Sequence, residues 1–262
     1  MTTPCVPQTR PSRRAPFLAR LAQLGAISLL GGVLAAEPGQ PEPKAAQTGG
    51  EATMKFGALK AGKVLFLGNS ITLHGPLATI GWAGNWGMAA TAEDKDYVHL
   101  ILSAIAKATG KAPESRVDNI ADIERQYATI DIEARLKDHL AFKADIVVLA
   151  IGENTPALAT DDEKRAFQAS LVRLLTALKQ SSAPALFVRS CFWADAAKDE
   201  ALRQDCAAVG GTFVDISSLG QDPANAARSE RTIEHAGVAG HPGDRGMQAI
   251  ASAILAAMES RQ

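Results

Sequence analysis

The sequence is poor in the residues that would support several common designs. It holds three cysteines in 262 residues, too few for a disulfide scaffold and without the paired spacing of a zinc site. Aromatic residues make up 5%, with two tyrosines, so a base-stacking surface is not evident. No cluster of Lys and Arg interrupts the chain, which argues against nucleic acid as a partner. There is no internal repeat, and the longest apolar run is short for a membrane span.

What is present is ordinary globular composition, 47% hydrophobic and 21% charged, enough for one sizeable core. Charge is unevenly placed. Residues 1–36 carry Arg10, Arg13, Arg14 and Arg20 and no acid, and without those four the formal net charge of −1 becomes −5. Arginines followed by the apolar run 21–36 and the small residues of Val33-Leu34-Ala35-Ala36 predict an export signal cut after Ala35 or Ala36. Ser12-Arg13-Arg14 with Phe17-Leu18 is close to a twin-arginine signal, with Pro16 as one residue too many. No cysteine sits at the cut, which argues against a lipoprotein. The expectation is a periplasmic or extracellular protein with no stable membrane association after cleavage. Residues 37–60, with Pro38, Pro41, Pro43, Gly49 and Gly50, read as a flexible leader, and 61–262 as the domain.

Within the domain, strand and helix patterns alternate. Strands are expected at 63–67, 115–121, 144–151, 185–188 and 212–216. Helices are expected at 94–108, 130–142, 161–180, 194–209 and 244–259. Continuous apolar strands between amphipathic helices predict a three-layer α/β sandwich with a five-stranded parallel sheet in flavodoxin-like order. Residues 73–93, with Trp82, Gly84, Trp86 and Gly87, form a long irregular connection of the kind that carries function. Cys191 and Cys206 fall near a strand end and in the following helix. A bridge and two separate packed thiols both fit that placement.

Three strand ends bring chemistry to one sheet edge: Ser70 in Gly68-Asn69-Ser70, Asn154 in Gly152-Glu153-Asn154, and Asp215. His241 precedes the last helix and can return to that edge. A serine attacking an acyl carbon needs a base and donors for the oxyanion, and His241 and Asn154 offer them. Taken in this order, Gly-Asn-Ser, Gly-Glu-Asn and His241-Pro242 followed by Gly246 resemble the sequence blocks of the SGNH hydrolases, the GDSL-like esterases, over about residues 61–258.

That resemblance implies an SGNH hydrolase fold and a serine esterase without metal or organic cofactor. Ser70 would be the nucleophile, His241 the base, and Ser70 N–H with Asn154 the oxyanion donors. Asn69 replaces the aspartate of the family's Gly-Asp-Ser first block, and the chain departs from the pattern at two further places. Glu124 stands where the second block has an oxyanion glycine, leaving Gly87 as a substitute amide. Val238 stands three before the histidine, where an acid is usual, leaving Glu234, Glu124 or Asp215 as its partner. Trp82, Asn85 and Trp86 would suit a sugar ring. The expected substrate is an O-acetylated carbohydrate; the alternative is an SGNH-like domain that binds glycans without turnover. The remaining histidines, His74, His99, His139 and His235, read as structural or surface residues, with His235 beside Glu234 as a supporting pair.

Overall fold

The computed structural model describes residues 53–261; the expected signal, 1–36, and most of the expected leader lie outside the described residues. The last residues of that leader have structure of their own. β1 (Lys55–Phe56) and β2 (Leu59–Lys60) pair antiparallel across Gly57, whose φ of +59° suits the turn.

The main sheet holds β3 (Lys63–Gly68), β4 (Glu114–Asn119), β5 (Ile146–Ala150), β6 (Ala185–Arg189) and β7 (Thr212–Val214). All pairs are parallel, in the order β4-β3-β5-β6-β7. This is the expected flavodoxin-like order. Its topological switch lies where β3 meets β5, the place where such sheets bind ligands. The helices are α1 (Tyr97–Thr109), α2 (Ala121–Arg125), α3 (Ile132–Ala141), α4 (Asp161–Ser182), α5 (Ala196–Ala208), α6 (Ala236–Gly240) and α7 (Asp244–Glu259). None of the described helices is long and apolar enough to cross a membrane.

Strand side chains alternate between two cores, as the pleat requires. Leu65, Leu67, Val147, Leu149, Leu186 and Val188 pack under α2–α5, against Leu136, Leu171, Leu174, Leu178 and Leu202. Val64, Phe66, Ile146, Val148 and Phe187 pack under α1 and α7, against Ile101, Ile105, Ile250 and Ile254. Each such side chain contributes about 1.5–3 kcal/mol on burial. Both layers are therefore anchored on β3 and β5, the two strands that flank the switch.

Element ends follow their caps. α1 starts at Tyr97 rather than residue 94 because the Asp96 side chain accepts from His99 N, after a 3-10 turn at Glu93–Lys95. α4 opens on a reciprocal capping box between Thr160 and Glu163. β4 ends before the expected residue 121: Asn119 Oδ1 accepts from Ala121 N at 3.1 Å and turns the chain into α2. Cys191 and Cys206 are free and buried, so the unbridged arrangement is the one adopted. Burial pushes both thiols up, Cys206 to about 11.

Candidate active site

The turn after β3 is built for close contact. A Cβ on Gly68 would lie 1.9 Å from Thr72 Oγ1 and 2.9 Å from Ala150 O, so only glycine fits between β5 and the turn. Asn69 Oδ1 accepts from Ile71 N at 3.1 Å, and its carbonyl accepts from Thr72 N at 2.9 Å and Leu73 N at 3.0 Å. That wrapped turn lifts Ser70 out of the buried strand. Its carbonyl accepts from Met88 N at 2.8 Å, which ties the tryptophan loop to the same residue.

Ser70 Oγ lies 2.8 Å from His241 Nε2, across 171 residues of chain. On its other side, His241 Nδ1 lies 2.7 Å from Gly237 O. A carbonyl only accepts, so Nδ1 carries the proton and Nε2 is left to accept from the serine hydroxyl. The Trp193 ring meets the imidazole edge-on at 5.2 Å and 86°, while 41% of Trp193 stays exposed. Burial lowers the His241 pKa, as do the nearby His74 and His235; the Gly237 bond and the Glu153 charge oppose them, and the net direction is down.

No carboxylate fills the acid's place. Asp215 Oδ1 accepts from Ser217 N at 2.9 Å and Ser190 Oγ at 3.4 Å, where it joins the ends of β6 and β7. Glu234 is exposed on a neighbouring groove. Glu124 is buried, its Oε2 accepting from Gly152 N at 2.8 Å and Asn154 N at 2.7 Å. None of the three is a partner of His241, and the backbone carbonyl of Gly237 takes that position instead. Burial and the Glu153 charge push the Glu124 carboxyl up, against the pull of those two amides.

Glu124 nevertheless shapes the site through Asn154. Two amides on one carboxylate fix the turn after β5, where Gly152 has a φ of +124° and a Cβ would meet Cys191 Sγ at 2.4 Å. Arg125 Nη2 donates to Asn154 Oδ1 at 3.1 Å, which assigns the amide orientation. Ser70, Asn154, Arg125 and His241 line one cleft of about 350 Å³, with His74, Asn119 and His235 as further polar lining.

The tryptophan loop is folded on itself. Trp82 Nε1 donates to His74 O at 2.9 Å, Trp86 Nε1 donates to Ala90 O at 3.0 Å, and the rings meet edge-on at 5.7 Å. Gly84 is held between them, a Cβ there lying 2.4 Å from Trp82. Trp82 and Trp86 border a larger groove of about 890 Å³, which shares Ile80, His235 and Val238 with the Ser70 cleft. Asn85 is exposed and lies outside the Ser70 cleft. The Gly87 amide is not available to an oxyanion, because it donates to Asp96 Oδ2 at 2.9 Å in the interior.

Two features of the site escaped the sequence. Trp193 follows β6 with no pattern to mark it. Glu153, the middle residue of Gly-Glu-Asn, is nearly buried between Asn69 and Arg189; its charge partner carries no signal because a lone arginine in an apolar strand has many uses. Among the described residues no group of three His, Cys, Asp or Glu is placed to hold a metal ion.

A scan of protein-family models and a search of curated proteins give no match. Among solved structures, the acetyl xylan esterase AlAXEase is similar at 16% identity and a TM-score of 0.47, over 74% of this chain and 98% of that one. An acetyl xylan esterase, Est2A, from the rumen bacterium Butyrivibrio proteoclasticus is similar at 12% and 0.44, over 79% and 64%. A family two carbohydrate esterase from Clostridium thermocellum, in complex with cellohexaose, is similar at 16% and 0.46, over 78% and 65%. At such identities nothing of function passes from them to this chain.

Proposed function

We propose that this chain is an exported serine esterase of the SGNH type, acting on O-acetyl groups of a carbohydrate. The observation that carries this is the 2.8 Å contact between Ser70 Oγ and His241 Nε2, with the other ring nitrogen protonated toward Gly237 O. Ser70 Oγ attacks the ester carbonyl as His241 Nε2 takes its proton. Charge builds on the carbonyl oxygen, where the donors are the Ser70 amide and the second hydrogen of Asn154 Nδ2, whose first is directed at Glu124 Oε1 at 3.5 Å. The imidazolium then returns the proton to the departing alkoxide, and water, deprotonated by the same nitrogen, releases the acid.

A carbonyl is a weaker partner for the imidazolium than a carboxylate. The difference between a neutral and a charged acceptor is about 1–2 kcal/mol. That corresponds to a dyad slower than a full triad by about 5–30-fold. The 350 Å³ cleft suits a small acyl group beside one sugar ring, and its continuity with the tryptophan-bordered groove supports an extended saccharide. Export rests on the arginine-led apolar segment at residues 1–36.

The second reading is a glycan-binding domain without turnover, favoured by the absent acid. Hydrolysis of 4-nitrophenyl acetate by wild type and Ser70→Ala separates the two: wild-type turnover no faster than the variant's would leave only binding. Product analysis with an added acceptor sugar distinguishes hydrolysis from acyl transfer.

A further inference from the structure

Position 69, between the strand and the nucleophile, is asparagine where the resembling first block has aspartate, and the structure supplies a reason. The Asn69 side chain is fully buried and uses both ends. Its Oδ1 accepts from Ile71 N at 3.1 Å, and its Nδ2 donates to Glu153 Oε2 at 2.7 Å. The other oxygen, Glu153 Oε1, accepts from Arg189 Nη1 at 2.5 Å and Phe192 N at 2.9 Å. Side-chain exposure is 0% for Arg189 and 2% for Glu153. Burial opposes the Glu153 charge, but the Arg189 charge and its bond outweigh it, and the carboxyl stays below its usual range. An ionised acceptor at 153 therefore requires a donor at 69. Aspartate would keep the bond to Ile71 N but set a second carboxylate oxygen against Glu153 with no proton between them.

The same carboxylate reaches the turns after β3, β5 and β6. Asn69 follows β3 and precedes Ser70. Glu153 follows β5 and precedes Asn154. Phe192 follows β6 and precedes Trp193, which packs on His241. Moving Glu153 would displace nucleophile, oxyanion donor and the wall behind the base together, although Glu153 touches none of the reacting atoms.

We infer that Glu153 is a positioning residue for the Ser70–His241 pair, acting through a donor–acceptor match that fixes asparagine at position 69. The inference rests on the esterase reading. It predicts that the match can be reversed. In Asn69→Asp/Glu153→Gln, the glutamine Nε2 donates to the new aspartate, its Oε1 still accepts from Arg189 and Phe192, and the buried guanidinium keeps one carboxylate nearby. Each single change breaks the match: Asn69→Asp opposes two carboxylates, and Glu153→Gln leaves Arg189 without its counter-charge.

The test is kcat and KM for 4-nitrophenyl acetate, with urea midpoints, for wild type, both single variants and the double. A misplaced nucleophile costs rate rather than binding. The singles should lose about 100-fold in kcat with KM within about twofold, and the double should recover to within about tenfold of wild type. Singles that do not fold beside a double that folds and turns over give the same result in a stronger form. A double no better than Asn69→Asp, or one that fails to fold, overturns the inference and leaves the esterase reading standing. So do single variants with kcat within about twofold of wild type. Absence of Ser70-dependent turnover in wild type sinks the esterase reading, and the positioning role with it.

Discussion

In the proposed esterase, the Nε2 atom of His241 is useful as a base only while it holds no proton, and this gives the activity a signed dependence on pH. The imidazole is mostly buried, and burial disfavours its charged form. His74 and His235, when protonated, repel a further positive charge. The Gly237 carbonyl and the charge of Glu153 favour the imidazolium but do not outweigh burial, and the pKa lies below the ordinary 6.5. A carboxylate on Nδ1 would have worked the other way, so the missing acid and the low pKa are one prediction. With a pKa under 6.5, about nine-tenths or more of the molecules carry neutral His241 at pH 7.5. kcat/KM should climb about tenfold per pH unit at acid pH, reach half its maximum below pH 6.5 and stay level from about 7 to 8.5. The assay is initial rates on 4-nitrophenyl acetate from pH 4.5 to 8.5 at constant ionic strength, with Ser70→Ala subtracted at each pH. His74→Gln should move the half-maximum upward, since it removes a charge that opposes protonation. A half-maximum above pH 7, or a downward move in His74→Gln, would refute the reasoning.

Stability has its own pH dependence, and two histidines pull it in opposite directions. The bond to Asp96 raises the His99 pKa, so its contribution is complete below pH 6.5 and is lost as pH rises through its raised folded value. His241, with its lowered value, costs stability as pH falls below 6.5; urea midpoints of His99→Gln and wild type at pH 5.5 and 8 should therefore differ more at pH 5.5. Gly68→Ala should destabilise the fold by about 3 kcal/mol, because the added carbon meets backbone as well as the Thr72 side chain; a urea midpoint within error of wild type would contradict it. Glu124→Ala strips the acceptor from two amides and should cost about 2 kcal/mol together with a loss in kcat, read by denaturation and the acetate assay. Thr160→Ala removes the α4 capping box, about 1 kcal/mol, and should lower Tm by about 2–4 °C in a scanning measurement. Ellman's reagent should leave Cys191 and Cys206 unlabelled in the native protein, and a reductant should leave Tm unchanged.

The architecture was readable because local pattern and tertiary role agree. Strands buried on both faces are apolar throughout, as Ile146–Ala150 is, and the helices carry their caps in sequence, as at Thr160 and Gly110. The segment 217–242 reads in the sequence only as polar and loop-like; it holds three 3-10 turns and the five-residue α6, all shorter than any period that would announce them. In the site, Ser70, Asn154 and His241 stood out by motif and order. What motif could not show is which groups are already engaged. Gly87 has an amide of the right kind, but Asp96 occupies it. Asp215 is engaged by Ser217 and Ser190 and Glu234 is exposed on the neighbouring groove, while the partner of His241 is a carbonyl that any residue could supply. Glu153 and its partners lie 84 and 36 positions apart, and only folding brings them together.

The 171-residue separation between Ser70 and His241 also bears on the order of events during synthesis. A chain emerging from the ribosome places the nucleophile early, on the strand that will become the second of five in the sheet. That strand waits for β5 before both of its edges are paired, and the base arrives later still, just ahead of α7, which must dock against α1. Such long-range closure is slow. In the proposed esterase, catalytic competence thus waits for residue 241, and no nascent fragment ending before it would carry that competence. Turnover of a chromogenic acetate would then serve as a clock for complete folding, ticking only once both ends of the domain have met.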